Sequence, residues 1–437
     1  MTKTMALLSH VREVSSTFLK NDNIKSFLGN LSTVFIFRML SAVLNVSGLI
    51  LAARKLGVIA LGDISMIQSI AYFLIIPMVL GVHISIIKYL PEGKGDARQE
   101  QQIIGSAVLC NGLLTGLFVL LYLKITETIS VIAHISETQW ILSVALAVAI
   151  NFATMSETVL RAKNKFYLLS IGKLIGTSVF FIIVIIAYFT SDSFNFFILA
   201  LIVNFVIFTI IAWAGSGVFK LSFSLKMVKT LYRYGGITMV SISFSTILFS
   251  SDLFIVNYFC SKYDVGMYSV YQVNVRNFFN LLFHEVFAIV FLPAIAQLDK
   301  SKVYTRILSM LKWLVPLAIA ANAVLCIVLI LLYGKDYPLN WLYVAIVSVS
   351  TGLHFIYWIF HSVFSVEGKK GAILCLLTLG IPMPLLLVMS ILFTQHLGIL
   401  GTMIATLLMQ LVLIGTFVYI IKSRYLNQAI RTQIVDA

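Results

Sequence analysis

Residues 234–269 read YGGITMVSISFSTILFSSDLFIVNYFCSKYDVGMYS. Between 236 and 259 the run carries a single charged side chain, Asp252. It is long enough for a helix to cross the roughly 30 Å hydrocarbon core of a bilayer. A short polar hinge at 260–266 follows, and a second apolar run begins at once. Chain that leaves and re-enters an apolar phase this quickly forms antiparallel spanning helices. A charge at the bilayer centre costs about 2.5–3.5 kcal/mol on insertion scales, so Asp252 is expected to face a partner or a water-filled interior.

The pattern recurs along all 437 residues, which are 60% hydrophobic and 11% charged, with a mean hydropathy of +1.01. A soluble domain is roughly half apolar and a quarter charged, so the composition predicts an all-α polytopic membrane protein. Twelve spans are predicted, at about 27–53, 63–90, 103–123, 141–160, 168–189, 194–214, 236–259, 267–298, 307–333, 340–364, 372–394 and 398–421. The chain then divides into an N-terminal segment (1–26), a first six-helix lobe (27–214), a linker (215–235), a second six-helix lobe (236–421) and a tail (422–437).

Charge orients these spans. Of 31 Lys and Arg residues, 24 fall on the side shared by both termini and five on the other: Arg54, Lys55, Lys124, Lys262 and Lys335. The positive-inside rule puts both termini, the linker and the tail in the cytoplasm. The net charge of +14 is then a topology signal and an attraction to anionic membrane lipid, with no nucleic-acid partner implied. Trp140 and Trp341 fall at outer span ends and Trp213 and Trp313 at inner ones, the level of the headgroups. Leu7, Val11, Val14 and Phe18 recur at helical spacing, a pattern shared by an interfacial helix and a solvated tail.

Six spans on either side of a central linker, entered from the same face, are the arrangement of parallel repeats. A faint echo accompanies it. Gly62, Ser65 and Pro91 in the first half are matched by Gly266, Ser269 and Pro293 in the second, at offsets of 204, 204 and 202 residues.

The two basic residues left over, Arg38 and Arg276, lie inside spans. Arg38 leads a stripe with Ser41 and Asn45, and Asp252 shares a face with Thr238, Ser241 and Ser245. In the eighth span Gln272, Arg276, Asn280 and His284 recur at intervals of four, with Asn277 adjacent and Glu285 one step round. The short hinge brings Asp252 and Arg276 to similar depth, so an ion pair between them is allowed. Two interpretations stay open: static contacts inside the bundle, or a working site in an aqueous interior. His83, His354 and His361 stand singly and are taken as packing residues.

Other chemistries are excluded. Cys110, Cys260, Cys326 and Cys375 are scattered, without disulfide or zinc spacing. No small-residue cleavage site follows the first apolar run, so no removable signal peptide is expected. No G-x-x-x-x-G-K-[ST] loop for ATP occurs. No catalytic residue, metal site or organic cofactor is predicted, and any driving energy must come from an ion gradient such as H+ or Na+, from a partner, or from the substrate's own gradient.

Tyr234-Gly235-Gly236, Asp252-Leu253-Phe254-Ile255, Val265-Gly266-Met267-Tyr268-Ser269 and Pro293, with Leu56-Gly57 and Gly62 in the first half, resemble the Wzx-type O-antigen flippases, polysaccharide transporters of the MOP superfamily. The resemblance implies a MOP/MATE-like bundle of two six-span lobes around a central cationic cavity that opens alternately to each side. It implies a bacterial inner-membrane protein that is a transporter and not an enzyme. The implied cargo is an undecaprenyl-diphosphate-linked oligosaccharide repeat unit moved to the outer leaflet, with a polysaccharide polymerase and a chain-length regulator as downstream partners. In that setting Arg38 and Arg276 would attract the diphosphate, Asn45, Gln272 and Asn280 would accept sugar hydroxyls, and Asp252, His284 and Glu285 would couple or gate. Two competitors remain. One is a cation- or proton-coupled multidrug exporter of the same superfamily, served by Asp252. The other is a polytopic enzyme on lipid-linked sugars, for which the longest outer connection offers only Glu127, His134 and Glu137.

Overall fold

A computed structural model describes residues 22–92, 96–217, 220–281, 300–365 and 369–423. The periodic segment at 7–18, His284, Glu285 and Pro293 lie outside them. The described residues fold into helices joined by short turns, with no strand among them. Nine helices among these residues are long and apolar enough to cross a membrane, so the chain is a multi-pass membrane protein.

Two of the nine, Val34–Val79 and Ile373–Ile421, have 46 and 49 residues, far more than one crossing needs. Each contains a glycine with a left-handed φ, Gly57 at 79° and Gly398 at 60°. At Gly57 the chain reverses between the first two spans, and a side chain there would strain the backbone. Each long helix therefore covers two of the predicted spans. Between the seventh and eighth spans the reversal is made by a cap: Ser261 accepts from the Asp264 amide while Asp264 accepts from the Ser261 amide, a reciprocal capping box. The helix Leu225–Phe259 ends there and Lys262–Tyr268 begins.

The seventh span differs from the hydropathy reading in one respect. Its helix starts at Leu225, capped by the Ser224 hydroxyl, rather than near 236. The added turns are amphipathic: Leu231 is buried with Val82, Ile86, Ile103 and Val159 of the first half, while Lys226, Lys229 and Arg233 stay at the surface. A hydropathy window averages these faces and reads a loop. Trp140 also departs from expectation. It is buried, and its Nε1 donates to the Tyr122 carbonyl at 2.9 Å, so it packs the bundle instead of marking the headgroup level. Trp341 and Trp313 are exposed.

The two halves of the chain meet at the hinge end of the bundle. A Cβ built on Gly62 would lie 2.8 Å from the Gly266 nitrogen, and one on Gly266 would collide with the Val58 carbonyl. Around this backbone contact Arg54 Nε donates to the Leu332 carbonyl at 2.7 Å, Asn257 Nδ2 to Ala133 at 2.9 Å and Lys262 Nζ to His134 at 3.1 Å. The Tyr337 hydroxyl donates to the Ala53 carbonyl at 3.2 Å. Burial, and then the neighbouring Asp336 carboxylate, hold this phenol above its ordinary range, so it stays protonated and able to donate. Toward the basic end the halves touch again, where Ser85 donates to the Leu231 carbonyl at 2.6 Å and Lys88 Nζ sits 4.1 Å above the Tyr234 ring.

Candidate functional site

Between these two seams lies a cavity of about 320 Å³. Five amide side chains line it: Asn45 from the first span, Gln68 from the second, and Asn274, Asn277 and Asn280 from the eighth. The hydroxyls of Tyr72 and Tyr333 join them, and Phe197, Phe205 and Phe278 supply aromatic walls. Among the described residues no Asp, Glu, Lys, Arg or His lines this cavity. A second cavity of about 310 Å³ shares Tyr72 and Ile150 with the first and continues toward the basic end, lined by His83, Thr154, Thr246 and Ser250 among aliphatic groups.

Asp252 and Arg276 do form a pair. Arg276 Nη1 donates to Asp252 Oδ2 at 3.1 Å, and the Tyr268 hydroxyl donates to the same oxygen at 2.8 Å. Oδ1 accepts from the Leu253 amide at 2.8 Å. Both side chains are under a tenth exposed, at 6% and 8%. The predicted interval-of-four stripe nevertheless breaks up. From Ser269 to Asn274 the eighth span winds as a π-helix, whose hydrogen bonds run to the fifth residue and so shift the angular register of everything after it. Arg276 turns toward Asp252, Gln272 is buried with its Oε1 without a partner among the described residues, and Asn274, Asn277 and Asn280 face the cavity. Asn274 is 7% exposed, and its side chain lies beside the Tyr333 hydroxyl in the cavity wall.

Arg38 belongs to a different cluster. On the first span Ala42, Asn45, Val46 and Leu49 line the cavity, and Arg38 continues that face one turn toward the basic end. On the fourth span Leu146 and Ile150 line it, Thr154 follows in the second cavity, and Glu157 and Arg161 continue the same face. Arg38 Nη2 lies 3.7 Å from Glu157 Oε1, Arg161 pairs with the same oxygen, and Lys173 Nζ of the fifth span is 2.8 Å from Glu157 Oε2. Among the described residues three cations thus surround one carboxylate at the cavity's basic end.

Of the predicted substrate residues, Asn45 and Asn280 line the cavity, Gln272 and Arg276 are packed behind its wall, and Arg38 stands one to two turns below it. Hydropathy missed Gln68, Tyr72, Asn274 and Tyr333, which carry no charge to betray them. The topology count takes in Arg161 and Lys173 and passes over Glu157, although the i, i+4 spacing of Glu157 and Arg161 and its agreement with a cavity-facing stripe is a readable signal.

A family model described as "Polysaccharide biosynthesis protein" matches residues 27–299. Among solved structures the chain is similar to the lipid II flippase MurJ in an inward closed conformation, with a TM-score of 0.68 and 18% identity over 89% of this chain and 87% of that one. It is as similar, at 0.68, to an inward-facing multidrug resistance MATE family transporter of the MOP superfamily, with 13% identity over 89% of this chain and 97% of that one. An outward-facing conformation of a MATE family transporter gives 0.59, again at 13% identity, over 89% and 94%. At such identities the likeness establishes the fold, a MATE- and MurJ-like helical bundle. No curated protein matches the chain.

Proposed function

Because the chain belongs to the polysaccharide biosynthesis protein family, we propose that it is a flippase for a lipid-linked saccharide, of the O-antigen kind, that works across the bacterial inner membrane by alternating access between its two six-helix halves. The observation that carries this is the juxtaposition of Arg38, Arg161 and Lys173, gathered around Glu157, with an amide-lined cavity on the same helical faces. In this reading the basic end is cytoplasmic. Arg38, Arg161 and Lys173 receive the diphosphate of an undecaprenyl-linked repeat unit, for which guanidinium groups offer paired donors. The sugars enter the cavity above and the prenyl tail stays in lipid. Opening of the hinge-end seam around Gly62 and Gly266 would then release the unit on the outer side, for a polymerase and its chain-length regulator to use. No bond is made or broken.

Asp252 and Arg276 are proposed as the coupling element. A proton or Na+ arriving at Asp252 would weaken its hold on Arg276 and change how the eighth span packs. A multidrug exporter of organic cations is less well supported, since no carboxylate lines the cavity among the described residues.

The test is reconstitution in liposomes with a labelled undecaprenyl-diphosphate oligosaccharide, measuring outward exposure. Arg38→Gln and Lys173→Gln are each expected to slow it about tenfold or more, as loss of a charge-assisted bond implies. Equal exposure in wild type and variants, at equal insertion, would overturn the assignment.

A further inference from the structure

We infer that the part of the glycan held in the amide-lined cavity is uncharged: its sugar rings present hydroxyl or acetamido groups and no carboxylate. This rests on the flippase reading for its cargo, and it adds a selectivity that reading does not contain.

An amide carries two N–H donors and a carbonyl acceptor, so it pairs equally well with either end of a hydroxyl dipole or of an acetamido group. Five such amides and two phenol hydroxyls converge on about 320 Å³. That volume is at the low end of small-molecule sites, room for about one or two sugar rings. Asn274 lines this space beside the Tyr333 hydroxyl, and the pair can share donors and acceptors with a sugar hydroxyl. Aromatic walls from Phe197, Phe205 and Phe278 suit the apolar C–H faces of the same rings.

Cations are kept elsewhere. Arg276 spends its guanidinium on Asp252 behind the wall. Arg38 stands seven residues before Asn45, about 10 Å lower along the helix, in the cluster around Glu157. Residues 282–299 contain no Lys or Arg, and His284, Glu285 and Asp299 are their ionisable side chains. A uronate carboxylate in the cavity would therefore be desolvated without a Lys or Arg counter-charge among the described residues, which a buried ion tolerates poorly. The two regions divide the work: charge at the basic end reads the diphosphate, and neutral amides above it read the sugar.

The experiment uses the full chain and two prenyl-diphosphate disaccharides that differ only at C6 of both rings, hydroxymethyl in one and carboxylate in the other. Binding to detergent-solubilised protein is measured first, and outward exposure in proteoliposomes second. The neutral glycan is expected to bind at least about tenfold more tightly, inorganic diphosphate should compete with both, and Asn277→Lys should narrow the gap by admitting the acidic one. Equal or tighter binding of the uronate overturns the inference, and so does failure of both glycans to bind. If the neutral glycan binds preferentially but is not exposed, the selectivity stands and the flippase reading falls. If both are exposed at equal rates and bound equally, the flippase reading stands and the selectivity falls.

Discussion

Removing one member of the Asp252–Arg276 pair should cost more than removing both. The carboxylate takes three donors, Arg276 and Tyr268 on Oδ2 and the Leu253 amide on Oδ1, and is only 6% exposed. In Arg276→Gln it keeps its charge and loses the guanidinium that balances it. Breaking a buried pair from one side typically costs about 3–5 kcal/mol, and that is the destabilisation expected here. Asp252→Asn leaves the guanidinium buried without its counter-charge and should cost a similar amount.

The double variant, Asp252→Asn with Arg276→Gln, replaces an ion pair by two amides that can hydrogen-bond each other. Swapping a buried pair for neutral groups of similar volume is often close to neutral, so its loss should be about 1–2 kcal/mol, smaller than that of either single variant. Thermal unfolding of the purified protein in detergent, followed by tryptophan fluorescence, gives the comparison. A double variant as unstable as the two singles combined would show that the residues do not act as a unit and would refute the account of the stranded charge.

Two further outcomes follow from the site and the seam. Glu157→Gln removes the one anion among Arg38, Arg161 and Lys173, so inorganic diphosphate should bind about tenfold more tightly while thermal stability falls, with both effects shrinking as salt is raised; weaker binding would mean that the glutamate organises the cations more than it neutralises them. Gly266→Ala places a methyl against the Val58 carbonyl, and overpacking of about 1–3 kcal/mol should shift the population away from the closed hinge-end seam. Spin labels at the exposed positions Lys124 and Tyr263 should then report a longer separation. An unchanged distance together with unchanged stability would count against that contact as a gate.

Hydropathy and the positive-inside pattern are enough to give the helical membrane class, because both depend on summed composition over twenty residues and not on any one side chain. The site is less legible, for a reason visible in the eighth span. Its polar stripe was laid out at four residues per repeat, and an α-helix would have kept Gln272, Arg276 and Asn280 on one face. The π-helical stretch at Ser269–Asn274 rotates the following residues, which sends Arg276 to Asp252 and leaves amides in the cavity. Nothing in the local sequence announces a π turn, since Tyr268 at its start and Tyr271 within it are anchored from outside it, on the Asp252 carboxylate and the Pro338 carbonyl. Among the described residues, in consequence, the expected cavity is lined by amides, with Arg38 in a cationic floor below it and Arg276 behind its wall.

The glycine echo between the halves has a sharper meaning once the seam is known. Gly62 and Gly266 stand 204 residues apart at matching places in the two halves, and they touch each other. In an arrangement with twofold symmetry, two equivalent positions can be in mutual contact only where they lie beside the axis. If the halves are parallel repeats, the hinge glycines therefore mark where their pseudo-axis leaves the bundle, and the requirement for small residues there is reciprocal. At the basic end the close approach joins Gly81 to Gly235, which are not repeat equivalents, and the seam there is asymmetric. Symmetric contact at one end and asymmetric contact at the other is what a bundle needs if one seam opens by separation of like surfaces while the other keeps the two halves tethered through Ser85, Leu231 and the helix that begins at Leu225. On this argument a cross-link between cysteines at Arg54 and Leu332, which meet across the hinge-end seam, should arrest outward exposure completely, whereas one at Ser85 and Leu231 should slow it only a few-fold; equal arrest by both would place the moving seam at each end alike and sink the distinction.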